Sequence, residues 1–247
     1  MGMGRGIVAE HPKAGAAEPW HQPSRGAALR DLVLGASDGL VTVLSFAAGV
    51  SASLGSSHQV VLAGISEMFA GATSMGLGAY LGARSQHEYY QQQRVQEEYE
   101  MRTIPEVERE EVRNIFAKKG FSGALLDEIV ETITSDEQRW LDTMMREEVG
   151  VDETSLGRPV RSGMLVGLSY IVGALFPLFP YFLFSAWPAL FWSIGITFIA
   201  LFAQGWAKAA FTAAKRWPSA LQTVAMGACG TAVCYFISRA VVALIGG

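Results

Sequence analysis

From Ser162 to Ala207 the chain runs for 46 residues without one charged side chain. A bilayer core takes roughly 20 apolar residues per helical crossing, so this run is too long for one crossing and suits two. The break falls at Phe184-Ser185-Ala186-Trp187-Pro188. Three other runs have the same character. Leu32–Leu54 carries only Asp38 as a charge, Val60–Ala83 only Glu67, and Trp217–Ser238 none. Five membrane helices follow. The expected fold class is all-α: a polytopic membrane protein with a small helical domain inserted between its second and third transmembrane helices.

Basic residues decide the orientation. With five spans, one side of the membrane receives residues 1–31, 84–161 and 208–216, which hold 18 of the 19 Lys and Arg; Arg239 falls on the other side. Lys and Arg near span ends stay cytoplasmic. The amino terminus and the insert are therefore expected in the cytosol, and the carboxyl terminus on the opposite side. The expected organisation is a mobile cytosolic tail over 1–27, which lacks the apolar core of a signal peptide, then helices 1–2 over 28–84. The cytosolic insert takes 85–158 and helices 3–5 take 159–247. A vacuole-type organelle membrane and a bacterial inner membrane both fit this pattern. Cys229 and Cys234 sit in the fifth span without metal-ligand spacing and read as packing residues. No phosphate loop, nucleophile elbow or basic nucleic-acid patch occurs, so neither a nucleic-acid partner nor a prosthetic group is expected.

The insert is acidic. Residues 85–157 carry 18 Asp or Glu against 8 Lys or Arg. The second span continues as a polar helix from Arg84 to Met101, and Pro105 interrupts it. Thr103 and Glu106 have capping-box spacing for a helix ending near Gly120. Ser122 is placed to cap a second helix, and Ser135 with Gln138 a third that Gly150 terminates. Glu97 and Glu100 are three apart, as are Glu108 and Glu111, so each pair shares one helix side and repels unless a cation sits between. Trp140, Leu141, Met144, Met145 and Glu148 share the face of the third helix. Carboxylates beside a thioether suit a first-row transition ion such as Fe²⁺ better than Mg²⁺ or Ca²⁺. The ordinary alternative for each is a solvated acid or a core methionine, but together they point to a metal-binding domain.

Asp38 and Glu67 lie where a charge is costly, about 2.5–3.5 kcal/mol on insertion scales, and such groups are functional by default. Gly64, Gly71 and Gly78 recur every seven residues, a pattern that lets helices approach closely. Glu67 borders that seam, and Met75 lies about 12 Å further along at 1.5 Å per residue. Asp38 is flanked by Gly35 and Gly39. The first two spans thus offer Asp38, Glu67 and Met75 to a shared interior. A carboxylate there can exchange a proton for a cation, as a proton-coupled carrier requires.

The segments LRDLVLGASDGL (29–40), GISEMFAGATSMGLGAYL (64–81), IPEVEREEV (104–112) and WLDTMMREEVGV (140–151) resemble the vacuolar iron transporter family, which includes the calcium-cross-complementer-type carriers of yeast. The resemblance runs in order from Ala28 to the end. It implies a dimeric carrier that exchanges protons for Fe²⁺, often Mn²⁺ too, and moves the metal out of the cytosol; the glycines and carboxylates of helices 1–2 place the homodimer contact there, and Co²⁺ and Zn²⁺ are further candidate ions. By the same resemblance Asp38, Glu67 and Met75 are path residues, and Glu97, Glu100, Glu108, Glu111, Met144 and Glu148 are insert ligands. For one further family ligand, Met145 or Glu147 is the nearest match.

Two other functions fit parts of the pattern. A membrane-anchored di-iron carboxylate oxidase would use Glu-x-x-His ligands, and none of His11, His21, His58 and His87 stands in one. A metal sensor or scaffold would use the spans only as anchors, which leaves Asp38 and Glu67 without a purpose.

Overall fold

The computed structural model describes residues 23–54, 56–150, 156–211 and 214–245. Residues 1–22 of the expected tail lie outside the described residues. The described chain is helical throughout: α1 (Pro23–Leu54), α2 (Ser57–Thr103), α3 (Pro105–Lys118), α4 (Gly123–Thr134), α5 (Glu137–Glu147), α6 (Pro159–Leu178), α7 (Ala186–Phe211) and α8 (Arg216–Ile245). A single 3₁₀ turn, Phe179–Phe182, follows α6 where Pro177 and Pro180 withhold backbone donors. Five of these helices, α1, α2, α6, α7 and α8, are long and apolar enough to cross a membrane. These are the five expected runs.

Helix α6 is central among them, because both α1 and α2 pack chiefly against it. Small residues permit the close approach. A Cβ added to Gly35 or Gly39 of α1 would collide with backbone carbonyls of α6, those of Val166 and Tyr170, and one on Gly173 would meet the Ala36 carbonyl. On α2, Gly64 lies against Leu178 and Gly71 against the Tyr170 ring, both in α6 of the same chain. Gly78, the third member of the seven-residue repeat, faces open space, and Gly76 takes its place by packing on Gly163 and Gly167. Gln204 of α7 pins α1: it donates to the Val33 carbonyl at 3.0 Å and accepts from Ser37 at 3.0 Å.

Helix α2 is one piece of 47 residues, about 70 Å long at 1.5 Å per residue and more than twice the roughly 30 Å hydrocarbon core. Its apolar part ends at Ala83, and the polar remainder forms one wall of the insert. The insert has its own core, in which Tyr90 and Met101 of α2 meet Val112, Leu126, Val130, Ile133, Trp140, Leu141, Met144 and Met145. Its turns follow local chemistry. Gly120 and Gly150 adopt φ of 99° and 72°, left-handed values that favour glycine where a helix ends.

Three caps differ from expectation. Ser122 stands at the start of α4, but its side chain makes no capping hydrogen bond. Thr103 does not open α3; it is the last residue of α2 and donates to the Tyr99 carbonyl at 2.8 Å. Pro105 begins α3 without a side-chain cap, since proline has no N–H to satisfy. At α5 the cap is Asp136, whose carboxylate accepts from the Arg139 amide at 2.8 Å, while Ser135 bonds back to the Thr132 carbonyl. A carboxylate is the stronger acceptor and carries the charge that a helix amino terminus favours.

Candidate functional site

Two groups of carboxylates stand out, one in the insert and one among the membrane helices. In the insert, α2 supplies Glu97, α3 supplies Glu108 and the end of α5 supplies Glu148. One oxygen of each lies within 4.8 Å of the other two. Glu97 and Glu108 are only 5% and 2% exposed, and an oxygen of each has no hydrogen-bond partner. Burying an unpaired carboxylate costs several kcal/mol, and crowding two more beside it raises the cost. Burial foremost, then the charges of Glu148, Glu108, Glu100 and Glu111, pushes Glu97 up to about 7. Burial, then Glu111, Glu100 and Glu148, does the same to Glu108, again to about 7. Glu148 is more open, yet its carboxyl is raised by partial burial, then by the charge of Glu111 and a hydrogen bond with it. Such a cluster is unfavourable as it stands, and it relaxes only by taking up protons or a cation.

The helical register explains the convergence. Glu97 and Glu100 lie one turn apart on α2, and Glu108 and Glu111 one turn apart on α3, so the two pairs meet across the bend at Pro105. Met144 is fully buried in the apolar core, and its carbonyl accepts from the Glu148 amide at 2.9 Å, so the two residues lie one helical turn apart. Met145 lies in the apolar core of the insert, 2% exposed. Glu147 points elsewhere and pairs with Lys119. Glu97, Glu108 and Glu148 are therefore gathered, with Glu100 and Glu111 near enough for their charges to act on them; Met144 shares the apolar core with Met145, and Glu147 stands apart.

In the membrane helices, Glu67 of α2 accepts a hydrogen bond from the hydroxyl of Tyr170 in α6 at 2.7 Å. Its other oxygen is buried and without a partner. Asp38 of α1 accepts from Thr42 at 3.4 Å and is near enough for its charge to act on Glu67. Thr42 also lies within hydrogen-bond reach of Tyr170. Asp38 with Thr42 and Tyr170 with Glu67 thus form two hydrogen-bonded pairs that lie close together across α1, α6 and α2. Met75 packs against the cluster of Val43, Met68, Ala72 and Tyr170, on the side of Glu67 nearer the insert. A single helix therefore carries Glu67, Met75, Glu97 and Glu100 along its length.

Sequence reasoning missed Tyr170 and Thr42. Tyr170 is fully buried in the first quarter of the charge-free run. Its signal was available in principle, because a tyrosine deep in an apolar span needs a partner for its hydroxyl. Which partner it takes depends on α6 lying between α1 and α2, and no spacing within α6 states that.

The sequence model of the VIT family matches residues 29–239. Vacuolar iron transporter 1 of Oryza sativa subsp. japonica is 36% identical over 96% of this chain and 96% of its own. The protein of the same name from Arabidopsis thaliana is 38% identical over 87% of each chain. Protein CCC1 of Saccharomyces cerevisiae is 32% identical over 73% of this chain and 56% of its own length. These names belong to transporters, not to enzymes.

Proposed function

The chain belongs to the VIT family, and on that premise we propose that it is a membrane carrier of divalent transition metal, Fe²⁺ foremost and Mn²⁺ as well. It moves the ion out of the cytosol in exchange for protons. The observation that carries this reading is the pair of neighbouring carboxylates, Asp38 bonded to Thr42 and Glu67 bonded to Tyr170, inside helices otherwise apolar enough to span a bilayer. Two carboxylates held there have one plausible use, to exchange protons for a cation. Deprotonated, they hold a divalent ion; protonated, they lose the charge that held it. An acidic compartment on the far side therefore drives release. Met75 adds a soft, neutral ligand that favours Fe²⁺ over Ca²⁺ without adding charge.

The insert is the cytosolic collector. Glu97, Glu108 and Glu148 form its centre, Glu100 and Glu111 flank it, and Met144 supplies the thioether. Helix α2 links collector to carrier as one rigid rod. The distribution of Lys and Arg puts the amino terminus and the insert in the cytosol and the carboxyl terminus across the membrane. The names of the relatives favour a vacuole-type membrane. Two copies associate through α1 and α2, whose outer face carries the exposed side chains Leu62, Phe69, Leu77 and Leu81.

Flux of Fe²⁺ into acid-loaded proteoliposomes tests the carrier. Glu67→Gln keeps the shape of the side chain and should abolish pH-driven flux, while metal bound by the insert survives. Wild-type flux in this variant would reject the mechanism.

A further inference from the structure

A cavity of about 410 Å³ opens where the insert meets the membrane helices, away from both carboxylate groups described above. Its polar walls are Asp31 of α1, His87 of α2, Gly157 and Arg158 of the segment entering α6, and Arg161 and Ser162 of α6 itself. Each of the three helices crosses the same boundary here. Asp31 directly precedes the apolar run of α1, His87 lies four residues beyond that of α2, and Arg161 directly precedes the charge-free run that starts at Ser162. The cavity therefore lies at the depth of lipid headgroups, with Leu165 on its membrane side.

Its charges are uncommitted in a particular way. Asp31 is 3% exposed and accepts from the Arg30 guanidinium at 3.2 Å. Arg158 and Arg161 line the cavity with it, yet neither pairs with a carboxylate among the described residues. His87 Nε2 is held 3.2 Å from the Gly157 carbonyl oxygen, which fixes the back wall. Two guanidinium groups with no carboxylate partner among the described residues, beside one buried carboxylate, match a ligand with a phosphate at one end and an O–H or N–H donor at the other.

We infer that this cavity is a headgroup site for a membrane glycerophospholipid, with the phosphate on Arg158 and Arg161 and the headgroup donor on Asp31. The class is narrowed by that carboxylate. Ethanolamine and glycerol headgroups carry a donor, whereas choline carries none. The site ties α1, α2 and α6 together at the point where the insert joins the membrane domain.

Native mass spectrometry of the full chain in mild detergent tests this, with phosphatidylglycerol, phosphatidylethanolamine and phosphatidylcholine titrated separately. The first two should bind about tenfold more tightly than phosphatidylcholine, one charge-assisted hydrogen bond's worth. Arg158→Gln with Arg161→Gln should lose retention of all three by about tenfold or more. Arg158→Lys with Arg161→Lys keeps the charge but loses the guanidinium fork, so it should weaken retention by a few-fold; if the Gln pair does not fold, unchanged retention in the Lys pair overturns the site. Asp31→Asn should erase the preference over phosphatidylcholine. Wild-type lipid retention in the Gln pair, or equal affinity for phosphatidylcholine in the unmodified protein, overturns the site. Inorganic phosphate forms a separate arm: a thermal shift with phosphate and none with lipid would assign the arginines to a free anion instead and overturn the lipid proposal.

Discussion

Tyr170 gives Glu67 its one hydrogen bond, so its loss leaves a carboxylate among apolar helices with neither oxygen partnered. A hydrogen bond to a charged group is worth about 1.5–3 kcal/mol. Tyr170→Phe should therefore slow metal flux into proteoliposomes by about tenfold or more, while the helix packing, which uses the ring, is kept. Unchanged initial rates would show that the hydroxyl is idle. Glu97 and Glu108 make the second case at this scale. Each is raised to about 7 in the folded chain from an ordinary value of 4.5. Between these values the folded insert binds more protons than the unfolded one, so its stability falls as pH rises from about 4.5 to 7 and levels off above. Because the insert encloses its own core, a fragment spanning 85–157 can report this through Trp140, the sole tryptophan in that range. Its melting temperature without metal should drop between pH 5 and pH 8. Glu97→Gln with Glu108→Gln should flatten that slope and raise stability at the alkaline end. A pH-independent melt of the unaltered fragment would contradict the burial of these two carboxyls.

Among the elements, α6 decides the geometry of the carboxylate pair. It lies close to α1 only because Gly35, Gly39 and Gly173 leave no side chain between the backbones. A methyl group at Gly39 would meet the Tyr170 carbonyl, which cannot move without moving the helix. Overpacking of this kind costs about 1–3 kcal/mol. Gly39→Ala should lower the melting temperature of the protein in detergent and also reduce flux, since Tyr170 moves with its backbone. Gly78→Ala is the matched comparison, because open space surrounds Gly78. Equal effects of the two substitutions would mean that α1 and α6 are not in the contact described.

For the whole molecule, the continuity of α2 is the main consequence of the fold. On the proposed reading collector and carrier share one rod, and metal captured at Glu97 would sit about 45 Å along the helix from Glu67, 30 residues away at 1.5 Å each. The proposed dimer belongs to this scale too. Gly71 lies against Tyr170 within its own chain, whereas Gly78 faces outward. A cysteine at Gly78 should cross-link two copies in membranes, and one at Gly71 should not. Cross-linking confined to positions on α8 would place the interface elsewhere.

The count of membrane helices and the break near Ser185 were legible in the sequence, because insertion into hydrocarbon depends on the local charge and apolarity of each run. The insert helices were legible for a similar reason: proline at 105 and glycines at 120 and 150 act on backbone within a residue or two of themselves. Glu97, Glu100, Glu108 and Glu111 could be paired from their spacing alone, since three residues make nearly one helical turn. Caps were read less well, because Ser135 and Asp136 compete for one position and their relative acceptor strength settles it. What spacing could not give is which helix faces which. The glycines of α2 suggested a seam without saying that its partner is α6 of the same chain. Glu147 and Glu148 are neighbours in sequence, yet one reaches Lys119 and the other the buried carboxylates. Tyr170 became part of the site only when α6 settled between α1 and α2. Contacts between distant segments depend on close packing in three dimensions, and only the tertiary structure decides them.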